Sequence, residues 1–353
     1  MFEGGFEDVQ SDLVIDVGNS GTSLRLLTAV VSTGTHTVVL TGDESLVRRP
    51  NQPLIDALRH LGAQVESDHG RAPICITGPI HTQDVELPAG QSSQFASALF
   101  LALARSGEAS RLTLLKPVHS LPYFQLTLDM AARFGSHFRV RTDDEAVTVY
   151  IEGNGFTSPG QWIVEGDWSS AAFLLVAAWG AGRKIELDGL TTTSRQADQA
   201  IQAILEQLGG HFEWSSDSRV LFTPGKSGQL NHIDVQGCPD LFPILCVLAA
   251  CLPYSLRIDG APNLRHKESD RIRLMSEGLT TLGIPCTPLS DGLIVGTGPL
   301  KPGAVSTEHD HRIQMSFRVL SCLTDTIIEL DGYGSETVSY PAFEQDLERL
   351  FEM

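Results

Sequence analysis

One pattern recurs along this chain at nearly constant spacing: an amphipathic helix, then Leu or Phe followed by Gly, then a predicted strand. Its anchors are Leu61-Gly62, Phe134-Gly135, Leu208-Gly209 and Leu282-Gly283, separated by 73, 74 and 74 residues. Apolar residues at helical spacing precede them, for example Leu54, Leu58 and Leu61, or Ile201, Ile204, Leu205 and Leu208. Each glycine sits where a helix ends in a left-handed cap. A module repeated at this interval is one supersecondary unit whose apolar face must be buried against its neighbours. The helix predicted over Phe343–Leu350 is the next copy's, so the chain ends in phase with the repeat and begins about one unit late.

A second landmark keeps a similar beat. Gly18-Asn19-Ser20-Gly21-Thr22-Ser23 follows the strand-like Leu13-Val14-Ile15, and Ser92-Ser93-Gln94, Ser169-Ser170, Asp240 and Asp310-His311-Arg312 follow in turn. Each opens an apolar run that reads as a helix, so each offers an N-cap and an anion seat. Singly, each is an ordinary cap. Together they predict helix starts from several units facing one cleft. The glycine loop at residues 18–23 fits neither the G-x-x-x-x-G-K-[ST] nor the G-x-G-x-x-G nucleotide pattern.

The 353 residues allow two domains. Turn formers cluster at Glu152–Gly160, which sets predicted domains at 1–160 and 161–353. With 43 acidic against 25 basic residues, the net charge of −18 argues against nucleic-acid and anionic-membrane partners. No apolar run is long enough to span a bilayer, and the acidic opening Met1–Asp8 does not read as a targeting peptide. Six scattered cysteines without a C-x-x-C pair predict buried free thiols in a reducing, cytoplasmic setting, with no metal site.

Against that acidic background, Asn263-Leu264-Arg265-His266-Lys267-Glu268-Ser269-Asp270-Arg271 concentrates cations. It leads into Ile272, Met275, Leu279 and Leu282, one apolar helix face, and so reads as a helix start with Lys267 and Arg271 on the same side of its first turn. On its own the stretch is also compatible with a solvated turn of local ion pairs.

In order along the chain, Gly18–Thr22, Arg49-Pro50, Ser92-Ser93-Gln94, Pro122-Tyr123, Glu165-Gly166-Asp167, Pro239-Asp240, Asn263–Arg271, Asp310-His311-Arg312 and Tyr340-Pro341 resemble the 5-enolpyruvylshikimate-3-phosphate (EPSP) synthase family of enolpyruvyl transferases. The resemblance runs from about residue 13 to the C-terminus. It implies an α/β (α+β) fold of two lobes built from βαβαββ units, with two units in the first lobe here and three in the second. It also implies transfer of the enolpyruvyl group of phosphoenolpyruvate to the 5-hydroxyl of shikimate 3-phosphate in the shikimate pathway, without a cofactor, by a cytoplasmic monomer.

The resemblance assigns Ser92, Ser93, Gln94, Ser120, Tyr123, Asp240, Asn263 and Lys267 to shikimate 3-phosphate. Gly21, Thr22, Arg49, Gln94, Arg271 and Arg312 fall to phosphoenolpyruvate, the two guanidiniums suiting its carboxylate. Asp240 is the expected base and Glu268 the expected acid, with His311 beside it; the acid role needs a raised pKa.

The sequence departs from the family in two respects. The family's first unit carries a Lys-Ser pair and an arginine, for which this sequence offers no counterpart. Val338 stands where the family has a phosphate-binding lysine. Each lost charge-assisted contact costs about 2–4 kcal/mol of transition-state stabilisation. His309 replaces a frequent asparagine, and Trp168 is bulky for its place. Two functions therefore stay open: the transfer itself, reduced or lost, and a non-catalytic relative that binds an anion or a protein partner over an incomplete lobe. Transfer to a UDP-sugar is disfavoured, because Asp43–Pro50 lacks the cysteine of that sister family.

Overall fold

The computed structural model describes residues 13–81, 84–324 and 326–352; the opening stretch Met1–Asp8 lies outside them. The chain divides into two compact units, Met1–Trp162 and Ile163–Met353.

The first unit runs β1 (Leu13–Asp16), α1 (Gly21–Val31), β2 (Thr37–Thr41), the short α2 (Glu44–Val47), α3 (Gln52–His60), β3 (Gln64–Asp68) and β4 (Arg71–Thr77). It continues with β5 (Asp84–Pro88), α4 (Ser93–Arg105), β6 (Ser110–Leu115), α5 (Leu121–Arg133), β7 (Phe138–Thr142) and β8 (Ala146–Ile151). Its two sheets share one topology, β1-β2-β4-β3 and β5-β6-β8-β7, with a parallel first pair and antiparallel pairs after it. Helices α1 and α4 pack against each other, which brings together the starts of the two sequence landmarks that open them.

The second unit runs α6 (Trp168–Ala181), β9 (Ile185–Asp188), α7 (Ala200–Gln207), β10 (His211–Ser216), β11 (Arg219–Thr223) and β12 (His232–Asp234). There follow α8 (Phe242–Ala250), β13 (Leu256–Asp259), α9 (Arg271–Thr281), β14 (Cys286–Pro288), β15 (Leu293–Val295), β16 (Gly303–Val305), α10 (His311–Leu323), β17 (Ile328–Leu330) and α11 (Phe343–Glu352). The sheet β12-β13-β15-β14 repeats the topology of the first unit. The other two sheets differ from the expected complete βαβαββ copies: among the described residues one holds three strands, β10-β11-β9, and one holds two, β16-β17. A single backbone bond, Gly166 N to Gly189 O at 2.7 Å, links the segment before α6 to the residue after β9.

The predicted caps form in all four copies. Gly62, Gly135, Gly209 and Gly283 adopt φ of 99°, 79°, 91° and 92°, where a side chain would be strained. In each, the glycine N–H and the next N–H reach back to the last turn, as in Ala63 N to Leu58 O and Ile284 N to Leu279 O, both within 3.0 Å. This is the Schellman pattern, which satisfies helix-end carbonyls before the chain turns into a strand. The apolar positions that identified the helices are the buried ones: Leu54, Leu58, Leu61, Ile272, Met275, Leu279 and Leu282 are fully enclosed. Each such side chain contributes about 1.5–3 kcal/mol. Helix α8 is apolar on every side and is buried on every side, lying against α6, α9 and α10. Its Cys246 is enclosed, and burial pushes that thiol well above its ordinary pKa. All six cysteines are free. No described helix is long and apolar enough to cross a membrane.

Candidate functional site

In the second unit the charged stretch does not run straight into a helix. Pro262–His266 forms a tight 3-10 turn, Lys267 is extended (φ −85°, ψ −150°), and Asp270 caps α9 by accepting from Arg273 N. Lys267 and Arg271 therefore do not share a helical turn, contrary to the expectation from their spacing. A tertiary partner brings them together instead: Asp240 Oδ1 receives Lys267 Nζ at 3.4 Å and Arg271 Nη1 at 2.9 Å. Asp240 is not a helix cap either. It stands in the 3-10 turn Pro239–Leu241 before α8, which leaves its carboxylate available to side chains.

Arg271 is the hub, with 1% of its surface exposed. It also donates from Nε to Asp310 Oδ2 at 2.9 Å and from Nη2 to Glu268 Oε2 at 2.7 Å. Arg312 completes the group, with Nη2 3.4 Å from Asp240 Oδ2. Three cations, Lys267, Arg271 and Arg312, thus face three carboxylates, Asp240, Glu268 and Asp310. Burial works against the Asp240 charge, but Arg312, Lys267 and Arg271 outweigh it and hold its pKa well below the usual carboxylate range. Burial likewise opposes the Arg271 charge, and Asp310, Glu268 and Asp240 overcome it, raising its pKa further.

Sequence reasoning placed Asp310 at a helix start but gave it no part in the site. It is fully enclosed, caps α10 through Arg312 N at 2.9 Å and Ile313 N at 3.4 Å, and accepts from Ser269 Oγ at 2.9 Å. One buried carboxylate thereby orients Arg271 and fixes the first turn that carries His311 and Arg312. The residue before it, His309, has φ 59°, a left-handed conformation that asparagine accepts more readily, in keeping with the family's residue there.

His311 is buried, and desolvation, with Arg271 and Arg312 adding to it against Asp310 and Glu268, lowers its pKa to about 4. It is a neutral imidazole at pH 7. The unfolded chain holds the extra proton between pH 4 and about 6.5, so folding stability falls as pH drops through that window and is fully restored above it. The difference is worth about 3 kcal/mol. A ¹H–¹⁵N titration is expected to show no protonation of His311 down to pH 5; a midpoint above 6 contradicts this environment. Asn263 lies half-buried in the Pro262–His266 turn.

The first unit assembles its own group. Ser20 caps α1, whose first residues are Gly21 and Thr22, and a Cβ at Gly21 would lie 2.9 Å from Arg49 Nη1. Arg49 is buried and donates to Asn19 Oδ1 at 3.1 Å. Ser92 caps α4 by accepting from Gln94 N, and Ser93 is buried beside it. Gln94 donates to Thr22 Oγ1 at 2.8 Å and accepts from Arg25 Nη1 at 2.5 Å, while Arg25 Nε donates to Asn51 Oδ1 at 3.1 Å. Arg25 and Asn51 were not anticipated; an arginine one turn into an otherwise apolar helix was the available signal. Ser120 stands at φ 55° immediately before α5, accepting Tyr123 N at 3.1 Å. The helix carrying Ser169 and Ser170 is capped by neither serine but by Asp167, which accepts from both their N–H groups. Trp168 is enclosed at the start of that helix, its ring 6.4 Å from that of Trp214.

A sequence model of EPSP synthase (3-phosphoshikimate 1-carboxyvinyltransferase) matches residues 3–347. The chain belongs to the EPSP synthase family. Its relatives include the 3-phosphoshikimate 1-carboxyvinyltransferase of Methanocorpusculum labreanum, 38% identical over 340 residues that make up 96% of this chain and 78% of that protein. The Halobacterium salinarum protein of the same name is 36% identical over 341 residues, 94% of this chain and 78% of its own. A solved EPSP synthase from Acinetobacter baumannii superposes with a TM-score of 0.72 at 30% identity, covering 96% of this chain and 79% of that one. The mixed α/β architecture described above is that of EPSP synthases, a family whose substrates are phosphoenolpyruvate and shikimate 3-phosphate.

Proposed function

We propose that this chain transfers the enolpyruvyl group of phosphoenolpyruvate to the 5-hydroxyl of shikimate 3-phosphate, releasing phosphate. The observation that carries the reading is the convergence of Lys267, Arg271 and Arg312 on Asp240. Three fixed cations around a carboxylate suit a reaction whose two substrates are anions and whose acceptor hydroxyl must lose a proton. Without ligand the cations neutralise Asp240 and make it a weak base. A substrate carboxylate that draws Arg271 and Arg312 toward itself removes two of those partners, so Asp240 gains basicity when the hydroxyl is in place. As the hydroxyl oxygen bonds to the carbon that carries the phosphate, Glu268, released from Arg271 in the same way and so able to hold a proton, gives that proton to the methylene carbon. When phosphate leaves the resulting tetrahedral intermediate, a proton is taken back from the methyl group and the methylene is restored. Neutral His311 offers a hydrogen bond without adding charge. Ser92, Ser93, Gln94, Ser120, Tyr123 and Asn263 hold shikimate 3-phosphate, and Gly21, Thr22 and Arg49 face the phosphate of phosphoenolpyruvate. The reading takes the protein as a cytoplasmic monomer, and sedimentation measures the second property.

Phosphate release from the two substrates tests the proposal directly. Absence of phosphate together with calorimetric binding of shikimate 3-phosphate would favour a binding protein over a transferase. Val338 is 61% exposed in the 3-10 turn Ser335–Val338, where the family's lysine would stand. Val338→Lys is expected to raise kcat/KM at least about tenfold by restoring a phosphate contact. A flat response means that this contact does not limit the rate.

A further inference from the structure

The turn that carries Val338 is tied to α10 by side chains that no site assignment includes. Glu336, 5% exposed, accepts from Gln314 Nε2 at 2.5 Å and from Gly334 N at 3.0 Å. The other end of the same amide is also held, because Ser335 Oγ donates to Gln314 Oε1. Glu336 O in turn accepts from Ser339 N at 3.1 Å and Tyr340 N at 2.8 Å, so one residue organises the turn from both its side chain and its backbone. Gln314 is buried two residues beyond Arg312, and its N–H bonds to Asp310 O at 3.0 Å. A continuous bonded path therefore joins Arg271, Asp310, α10, Gln314 and Glu336 to the exposed tip Thr337-Val338-Ser339.

Among the described residues no cation pairs with Glu336; its side-chain partners are an amide and a backbone N–H. A buried carboxylate with neutral partners is a poor way to add stability, since its desolvation is not repaid by an opposite charge. Its use is geometric. One carboxylate oxygen, Oε2, accepts both bonds and so holds Gln314 in one orientation and the turn at one distance from α10.

We infer that Glu336 and Gln314 are positioning residues that hold the 334–340 turn against the start of α10, and so set the binding geometry for phosphoenolpyruvate. The inference rests on the transferase reading, which assigns Arg312 and the Val338 position to that substrate. Of the shikimate 3-phosphate residues, Asp240 meets this path through Arg271 and Arg312, and none bonds to the Glu336 or Gln314 side chain.

Steady-state phosphate release by Glu336→Ala and Glu336→Gln tests it. Glu336→Ala is expected to raise KM for phosphoenolpyruvate about tenfold while leaving KM for shikimate 3-phosphate within twofold, as for a lost positioning contact. Glu336→Gln keeps an acceptor oxygen for Gly334 and Gln314 and is expected to restore most of the loss. Equal changes in both KM values, or a glutamine variant no better than alanine, overturns the inference. If the parent protein releases no phosphate, the transferase reading fails separately, and hydrogen exchange decides the latch. In Glu336→Ala the Gly334, Ser339 and Tyr340 amides are expected to exchange at least about tenfold faster than in the parent, with α10 amides unchanged; unchanged loop amides overturn it.

Discussion

Asp310→Asn is expected to lower the stability of the second unit by about 3–5 kcal/mol, the range for breaking a buried ion pair by removing one partner. Asparagine is almost the same size and is itself a good N-cap, so the bonds to Arg312 N and Ile313 N can survive. What disappears is the charge opposite Arg271, whose guanidinium is enclosed and whose Nε lies 2.9 Å from the Asp310 carboxylate. Chemical denaturation followed by tryptophan fluorescence measures the change. Activity is expected to fall with it, because Arg271 and the first turn of α10 lose their common anchor. A loss below 1 kcal/mol would mean that Glu268 and Asp240 suffice to hold Arg271.

Asp240→Asn is expected to cut kcat at least about 100-fold, the usual worth of a positioned general base. The same substitution changes the charge of the group from three cations against three carboxylates to three against two. KM for phosphoenolpyruvate is therefore expected to stay level or fall, since its carboxylate no longer competes with Asp240 for Arg271 and Arg312. Glu268→Gln should lower kcat by a comparable factor through loss of the acid. Steady-state kinetics with both substrates varied distinguishes these patterns. Unchanged rates in both variants refute the acid and base assignments together.

Much of the architecture could be read before any coordinates, because it depends on local chemistry. Gly62, Gly135, Gly209 and Gly283 mark helix ends since few other residues accept their backbone angles. The apolar spacing of Leu54, Leu58 and Leu61 names the buried face for the same local reason. Of the site, the residue types were legible and their partnerships were not. Spacing placed Lys267 on the turn of Arg271, but Lys267 lies outside the helix and meets Arg271 only across Asp240, 27 and 31 residues away in sequence. Arg25 and Gln94 are 69 residues apart and bond only because α1 packs on α4. Nothing local in Gly334-Ser335-Glu336-Thr337 reveals that the Glu336 carboxylate is enclosed against Gln314.

The amino-acid order by itself determined where helices stop, which faces are apolar, and that cations collect in a strongly acidic chain. These follow from backbone angles, side-chain periodicity and composition, all of which act within a few residues. Tertiary structure alone decided that Asp310 joins Arg271 to α10, that Asp240 draws three cations to one carboxylate, and that Glu336 ties a turn to the same helix. Those contacts join segments tens of residues apart, and their strength comes from burial, which exists only once the chain has packed.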